Sequence, residues 1–183
     1  MTRLAVPDVR LRDSLRETID DFGETEVMHG SGFWHLDGRA PDTSEAGLPV
    51  MIRTLLAYGD PSQALPDGMV HSDYFWITDD EPGQVIGFLA IRHTLNAFLL
   101  EQGGHIGYSV RASRRGEGHA TRALAAALDR SAELGIDRVL VTCDPDNEPS
   151  RRTILRNGGV LEDVRSGKER YWIDVTGAAQ VRR

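Results

Sequence analysis

The stretch "SVRASRRGEGHATRALAAAL", Ser109 to Leu128, decides how the rest of this chain is read. It begins at the end of a β-patterned segment, "HIGYSVR" (105–111), and finishes as an Ala/Leu-rich helical run. Between the two lie Arg111, Arg114, Arg115, Gly116 and Gly118. A helix start presents unpaired backbone N–H groups and a partial positive charge. Glycine carries no Cβ, so an anion can come close to those amides. Arginines add formal charge and rigid hydrogen-bond forks. A pyrophosphate cradle fits this junction. So does a solvated basic loop capped by glycine, and the stretch alone leaves both open. Two familiar phosphate loops do not fit. Walker A needs G-x-x-x-x-G-K-[ST], which does not occur. The dinucleotide fingerprint needs glycine where Thr121 stands, within an all-parallel sheet.

Working outward from this junction, the order of elements is mixed α/β. Leu11, Leu15, Ile19 and Phe22 recur at helical spacing and predict a helix over about 10–22. The run 23–47 is rich in Gly, Asp, Ser and Thr and reads as a long loop, of the kind that forms lids or binding walls. A second helix is expected over 48–59. "GMVHSDYFWITD" and "VIGFLAIRH" then read as two strands joined through the turn residues "DDEPGQ". After "HIGYSVR" comes a helix over 118–134, closed by Gly135. "DRVLVTCD" has the continuous apolar centre of a buried parallel strand. "NEPSRRTILRN" is a helix with proline in its first turn. "GVLEDVRSGKERYWIDV" is a terminal hairpin through "SGKE", and the tail from 177 is expected to fray. This order places helices first, then an antiparallel meander, then strand–helix–strand–helix–strand.

With 183 residues, one domain with a real core is expected. The 28 Asp+Glu against 21 Lys+Arg, net −7, argue against nonspecific nucleic-acid binding, which needs a basic face. No apolar run is long enough for a membrane span, and the N-terminus lacks a secretory h-region. The single cysteine, Cys143, excludes a disulfide framework and a cysteine metal cluster. A cytoplasmic location without membrane or metal follows as the expectation.

Arg115-Gly116-Glu117-Gly118-His119-Ala120 resembles the [Q/R]-x-x-G-x-[G/A] motif of the GNAT superfamily of acetyl-CoA-dependent N-acetyltransferases. The resemblance runs from about residue 70 through "GQVIGFLAIRH", "GGHIGYSVR", "DRVLVTCDPDNEPSRRTILRNGGVLE" and the final strand pair, and is similar to a bacterial branch of that superfamily. It implies a GNAT fold: a mixed sheet of six to seven strands, an antiparallel N-terminal meander, splayed central strands and flanking helices. Residues 1–69 would form the acceptor side, 70–176 the acetyl-CoA-binding core and 177–183 a tail.

The resemblance also assigns roles. Backbone N–H groups at Gly116, Glu117, Gly118, His119, Ala120 and Thr121 would hold the pyrophosphate of coenzyme A, with Arg115 at the loop entrance. Val110 and its neighbour Arg111 would offer backbone groups to the thioester and pantetheine, where their strand splays from 137–143. Asn147 and Ser150 match an N-x-x-[AS] pair; Asn147 is also a natural helix N-cap. Arg151 and Arg152 could meet a 3′-phosphate, although exposed helix arginines are commonly just solvated.

Acetyl transfer to an amine needs a proton acceptor, and a donor to the leaving thiolate helps. The position that carries a carboxylate in many members is His105, whose ordinary pKa suits a base; the competing reading is a strand-end histidine bonded to a carbonyl. Glu101 is nearby in sequence, and His93 reads as structural. The usual thiolate-protonating tyrosine is replaced by Ile154, which leaves Tyr108, Tyr171 or water as the acid. Cys143 reads as packing rather than as a nucleophile. Glu24, Glu26, Asp37 and Asp42 could attract an ammonium, with Phe33, Trp34 and Trp172 as an aromatic wall; aromatics folded onto the core are the alternative. The expected partner is a small-molecule or peptide amine, and a homodimer is compatible. A noncatalytic acyl-CoA-binding sensor with the same fold is the second reading.

Overall fold

The computed structural model describes residues 1–24, 26–36, 40–79 and 83–175. A seven-residue run without a polar side chain, Val85–Ile91, organises the molecule. Both faces of this strand are covered, which is why it shows no alternation. It is the third of seven strands: β1 (Arg3–Ala5), β2 (Ser72–Thr78), β3 (Val85–Arg92), β4 (Ile106–Val110), β5 (Arg138–Cys143), β6 (Val160–Arg165) and β7 (Lys168–Asp174). The helices are α1 (Arg12–Phe22), α2 (Gly47–Tyr58), α3 (His119–Glu133) and α4 (Glu148–Arg156). The strands form two antiparallel sheets, β1-β2-β3-β4 and β5-β7-β6.

One face of the first sheet packs on α1 and α2, through Leu15, Phe22, Leu48, Ile52, Trp76 and Phe88. The other face packs on α3 and α4, through Leu89, Ile91, Ile106, Leu124, Leu128 and Ile154. The helix α3 buries Ala123, Leu124, Ala127, Leu128 and Ser131, a stripe at helical spacing. It ends where Gly135 takes φ 75° and Ile136 N–H donates to Ser131 O. The β6–β7 turn puts both Ser166 and Gly167 at positive φ, as a two-residue hairpin turn requires.

Two expectations change, and a segment for which the sequence predicts no element takes form. The chain opens on β1 rather than on a helix; three residues are too few to show a period, and β1 is held by pairing Arg3, Leu4 and Ala5 with Thr78, Ile77 and Trp76. The apolar run in β5 belongs to a strand hydrogen-bonded antiparallel to β7, buried because α3 and α4 cover it. Residues Leu99–Gly103 form a π-helical turn before β4. The turn residues 80–82, Asp37 and the tail from 176 lie outside the described residues. Among the described residues no helix is long and apolar enough to cross a membrane.

Candidate active site

The two sheets meet at one point. His105 N–H donates to Leu140 O (2.7 Å), and Leu140 N–H donates to His105 Nδ1 (2.9 Å). Gly104, at φ 63°, makes this contact possible: a Cβ there would lie 2.6 Å from Leu140 O. Beyond this vertex β4 and β5 share no ladder. The register then fixes which groups face the opening. Arg92 N–H donates to His105 O and Arg111 N–H to Ile86 O, so the carbonyl of 105 and the backbone groups of 107, 109 and 111 face β3. Ile106, Tyr108 and Val110 turn theirs the other way, into the gap. Val139 and Val141 likewise face β7, which leaves Thr142 facing β4.

Beyond β4 the chain makes a 3₁₀ turn, Ala112–Arg114, and enters α3 through Gly116 (φ 80°) and Gly118 (φ 78°). No acceptor occurs among the described residues for the N–H groups of Gly116 through Thr121; the first amide bonded is that of Arg122, to Gly118 O. Six successive unpaired amides at a helix start form a strong anion site. The side chains around them are occupied. Arg114 pairs with Asp79 (2.6 Å) and Glu117 (3.1 Å). Arg115 grips Glu26 through both Nη atoms (2.9 and 2.6 Å) and donates Nε–H to Val110 O (2.8 Å). His119 is buried between Thr2 and Glu117. This loop therefore offers backbone, while its side chains hold it in shape.

Across the gap, Asn147 caps α4 by accepting Ser150 N–H (3.1 Å). Ser150 Oγ lies 2.9 Å from Tyr108 Oη, which joins β4 to the start of α4. Burial pushes the Tyr108 phenol up to about 12, so it stays protonated and able to donate.

A family model described as "Acetyltransferase (GNAT) domain" matches residues 19–160. The chain belongs to the GNAT acetyltransferase family. Solved GNAT structures share its fold. RimJ of Mycobacterium smegmatis, in complex with CoA-disulfide, is 24% identical over 97% of this chain and 88% of that one, with TM-score 0.62. The ribosomal-protein-S5-alanine acetyltransferase of Vibrio fischeri is 16% identical over 94% and 91%, TM-score 0.62. The microcin C7 self-immunity acetyltransferase MccE, in complex with acetyl-CoA and AMP, is 16% identical over 94% and 92%, TM-score 0.63. A search of curated proteins returns no match.

Within this GNAT fold some expected site residues come together and others do not. Val110, the loop 116–121, Asn147 and Ser150 surround the opening between the sheets. Arg111 does not: its N–H is bonded to β3, and its buried side chain runs to Thr18 (3.5 Å) and Asp21 (3.7 Å) of α1. Tyr171 is turned away to Glu169 (2.8 Å), which also binds Arg151 (2.8 Å). Arg152 stays on the surface near Glu148 (3.7 Å). Ile154 is fully buried beneath α3. Burial raises the Cys143 thiol to about 11, which suits packing and not nucleophilic attack. Glu101 is held by Arg165 (3.0 Å), and His93 by Asp73 (2.9 Å).

In the segment 23–47, Glu26 is neutralised by Arg115, while Asp42 binds the N–H of Ser44 (3.0 Å). The aromatic wall is not assembled. Phe33 packs into the core against Phe88, Trp34 donates to Tyr74 Oη (3.2 Å), and Arg138 covers the Trp172 ring at 4.9 Å.

His105 is occupied by the vertex. Its Nδ1 lone pair takes the Leu140 N–H, and burial, aided by the Arg92 charge, lowers its pKa to about 4. This geometry gives it a structural role in place of the expected base. The pH dependence follows with a definite sign. The unfolded imidazole takes its proton near pH 6.5, the folded one near 4. Its contribution is therefore complete above about 6.5 and lost as pH falls through about 4. Urea unfolding of wild type and His105→Asn at both pH values should show wild type losing more, by about 3 kcal/mol. Parallel loss in the two proteins would contradict the assignment.

Two residues were not singled out from the sequence. In "HGSG" (29–32), Gly30 takes φ 83° and lies flat on β3 and β4, while His29 O accepts the Ser109 hydroxyl (2.7 Å). This contact holds the exposed residue His29 beside β4. Desolvation, with the charges of Lys168 and Arg92, lowers its pKa against the opposing pull of Asp144. The second is Arg92, which ends an otherwise apolar strand. An arginine closing such a run was the available signal.

Proposed function

We propose that this GNAT domain transfers an acetyl group from acetyl-CoA to a primary amine by direct attack. The supporting observation is the run of six unpaired amides, Gly116–Thr121, continuous with the free edge of β4. The residues fit the coenzyme. Glycines at 116 and 118 keep Cβ atoms out of the anion site, and outward-facing amides at Tyr108 and Val110 match a peptide-like pantetheine. Val110 contributes its N–H, because its carbonyl is taken by Arg115. The acceptor approaches from the α1/α2 face, where the 29–32 loop covers β4. Residues before about 70 thus shape much of the acceptor side, and the loop 116–121 with the start of α4 the coenzyme side.

Tyr108 and Ser150 are the residues assigned to the leaving thiolate. Their hydroxyls form a chain at the gap, and the phenol enters the reaction protonated. They supply the donor that Ile154 lacks. Thiol release from acetyl-CoA, measured with amino acids, polyamines, aminoglycosides and peptides, tests the reaction itself; tight coenzyme binding without turnover on any of them would favour the sensor reading. Tyr108→Phe should lower kcat roughly a hundredfold and leave coenzyme affinity unchanged. An unchanged kcat would remove Tyr108 from the mechanism.

A further inference from the structure

The described residues include seven arginines that are buried or half-buried. Six of them, Arg12, Arg111, Arg114, Arg130, Arg151 and Arg170, pair with carboxylates. Arg92 pairs with none among the described residues, in a chain with an excess of acidic groups. Its Nη1 donates to Gly103 O (2.9 Å) and Gly104 O (3.1 Å), which ties down the turn before the vertex. Its Nε and Nη2 donors are not used in this way. A cation withdrawn from water without a counter-ion is costly, and burial accordingly depresses its proton affinity.

Its place gives this cost a use. Arg92 extends along the α1/α2 face to Gly107, where a Cβ would lie 3.4 Å from Nη2. That same Cβ would lie 3.7 Å from Gly30 N. The guanidinium therefore lies beneath the acceptor loop, one residue from Tyr108, whose backbone faces the gap. The nearby charges do not neutralise it: Asp144 is held by Lys168 (2.5 Å), and the other neighbours are His29, His105 and Tyr74.

We propose that Arg92 is the specificity residue for the acceptor, and that the acceptor is an amine bearing an oxyanion, a carboxylate or a phosphate, a few bonds from its nitrogen. The oxyanion would take the free Nε and Nη2 donors as a fork. One residue along β4 is only about 3.4 Å, which sets the short separation between the anion and the reacting amine. This inference rests on the transferase reading for the word acceptor, though not for the anion site.

The test compares matched acceptors: Ala-Asp amide against Ala-Asn amide, and phosphoethanolamine against ethanolamine. Wild type should favour at least one acidic member over its neutral partner about tenfold or more in kcat/KM. The pair that shows the preference distinguishes carboxylate from phosphate. Arg92→Gln should abolish that ratio chiefly through KM, and Arg92→Lys should retain part of it. A merely structural Arg92 would lower both members equally and leave the ratio intact. Equal rates on acidic and neutral acceptors in wild type would overturn the inference and leave the transferase standing. Thermal stabilisation by succinate and by inorganic phosphate, as the difference between wild type and Arg92→Gln, provides a readout without turnover. Arg92-dependent stabilisation in a protein that acetylates nothing would support the anion site and refute the transferase. Absence of both stabilisation and preference would reject the anion site.

Discussion

Gly118→Asp should fold and lose coenzyme A. Gly118 sits at φ 78° as the N-cap of α3, where aspartate is a favourable cap and tolerates a left-handed backbone better than most residues. Its Cβ would approach only Arg122 Nη1, at 2.9 Å, the far end of a flexible side chain. Folding is therefore expected to survive, with a stability change of about 1 kcal/mol or less. The carboxylate, however, would occupy the six amides that the pyrophosphate needs and would repel its charge. Calorimetric titration should show coenzyme affinity falling at least a hundredfold, about 3 kcal/mol. Gly118→Asn, neutral and also tolerant of positive φ, should lose less. A dissociation constant within about threefold of wild type for the aspartate variant would refute the cradle.

Gly30→Ala has the opposite signature. Here the added Cβ would lie 2.4 Å from Gly107 O, 2.8 Å from Leu89 Cα and 3.0 Å from Ala90 N, at φ 83°. All three atoms are sheet backbone and cannot step aside. The loop must lift from β4, which breaks the Ser109–His29 bond and displaces His29 from the acceptor side. The cost in stability is about 1–3 kcal/mol. Turnover on any amine should fall about tenfold or more through acceptor KM, while coenzyme affinity holds. Wild-type kcat/KM in this variant would show that the 29–32 loop does not shape the acceptor site. Together the two glycine variants would separate the proposed donor site from the proposed acceptor site.

The coenzyme side was legible because its information is local. A glycine-spaced helix start after a strand can be read from about a dozen consecutive residues, and the structure leaves those amides unpaired. Asn147 as a cap is equally local. The arginines were the misleading part. Arg111, Arg114 and Arg115 look like ligands in the sequence, yet each finds a carboxylate elsewhere in the chain: Asp21, Asp79 and Glu26. Nothing in a linear pattern gives a partner tens of residues away.

Periodicity and turn chemistry were sufficient by themselves for the mixed α/β class and the order of the main elements, and the glycine-spaced junction was enough to mark the start of α3, where the amides of Gly116–Thr121 have no acceptor among the described residues. Those features depend on neighbours within a turn or two of helix. The tertiary structure alone decided that His105 joins the sheets, that Tyr108 reaches Ser150, and that Gly30 lies against Gly107. It also decided that Arg92 has no counter-ion among the described residues. These facts depend on which strand edges pair and which remain open, and pairing is set by long-range packing of residues that lie far apart in the chain.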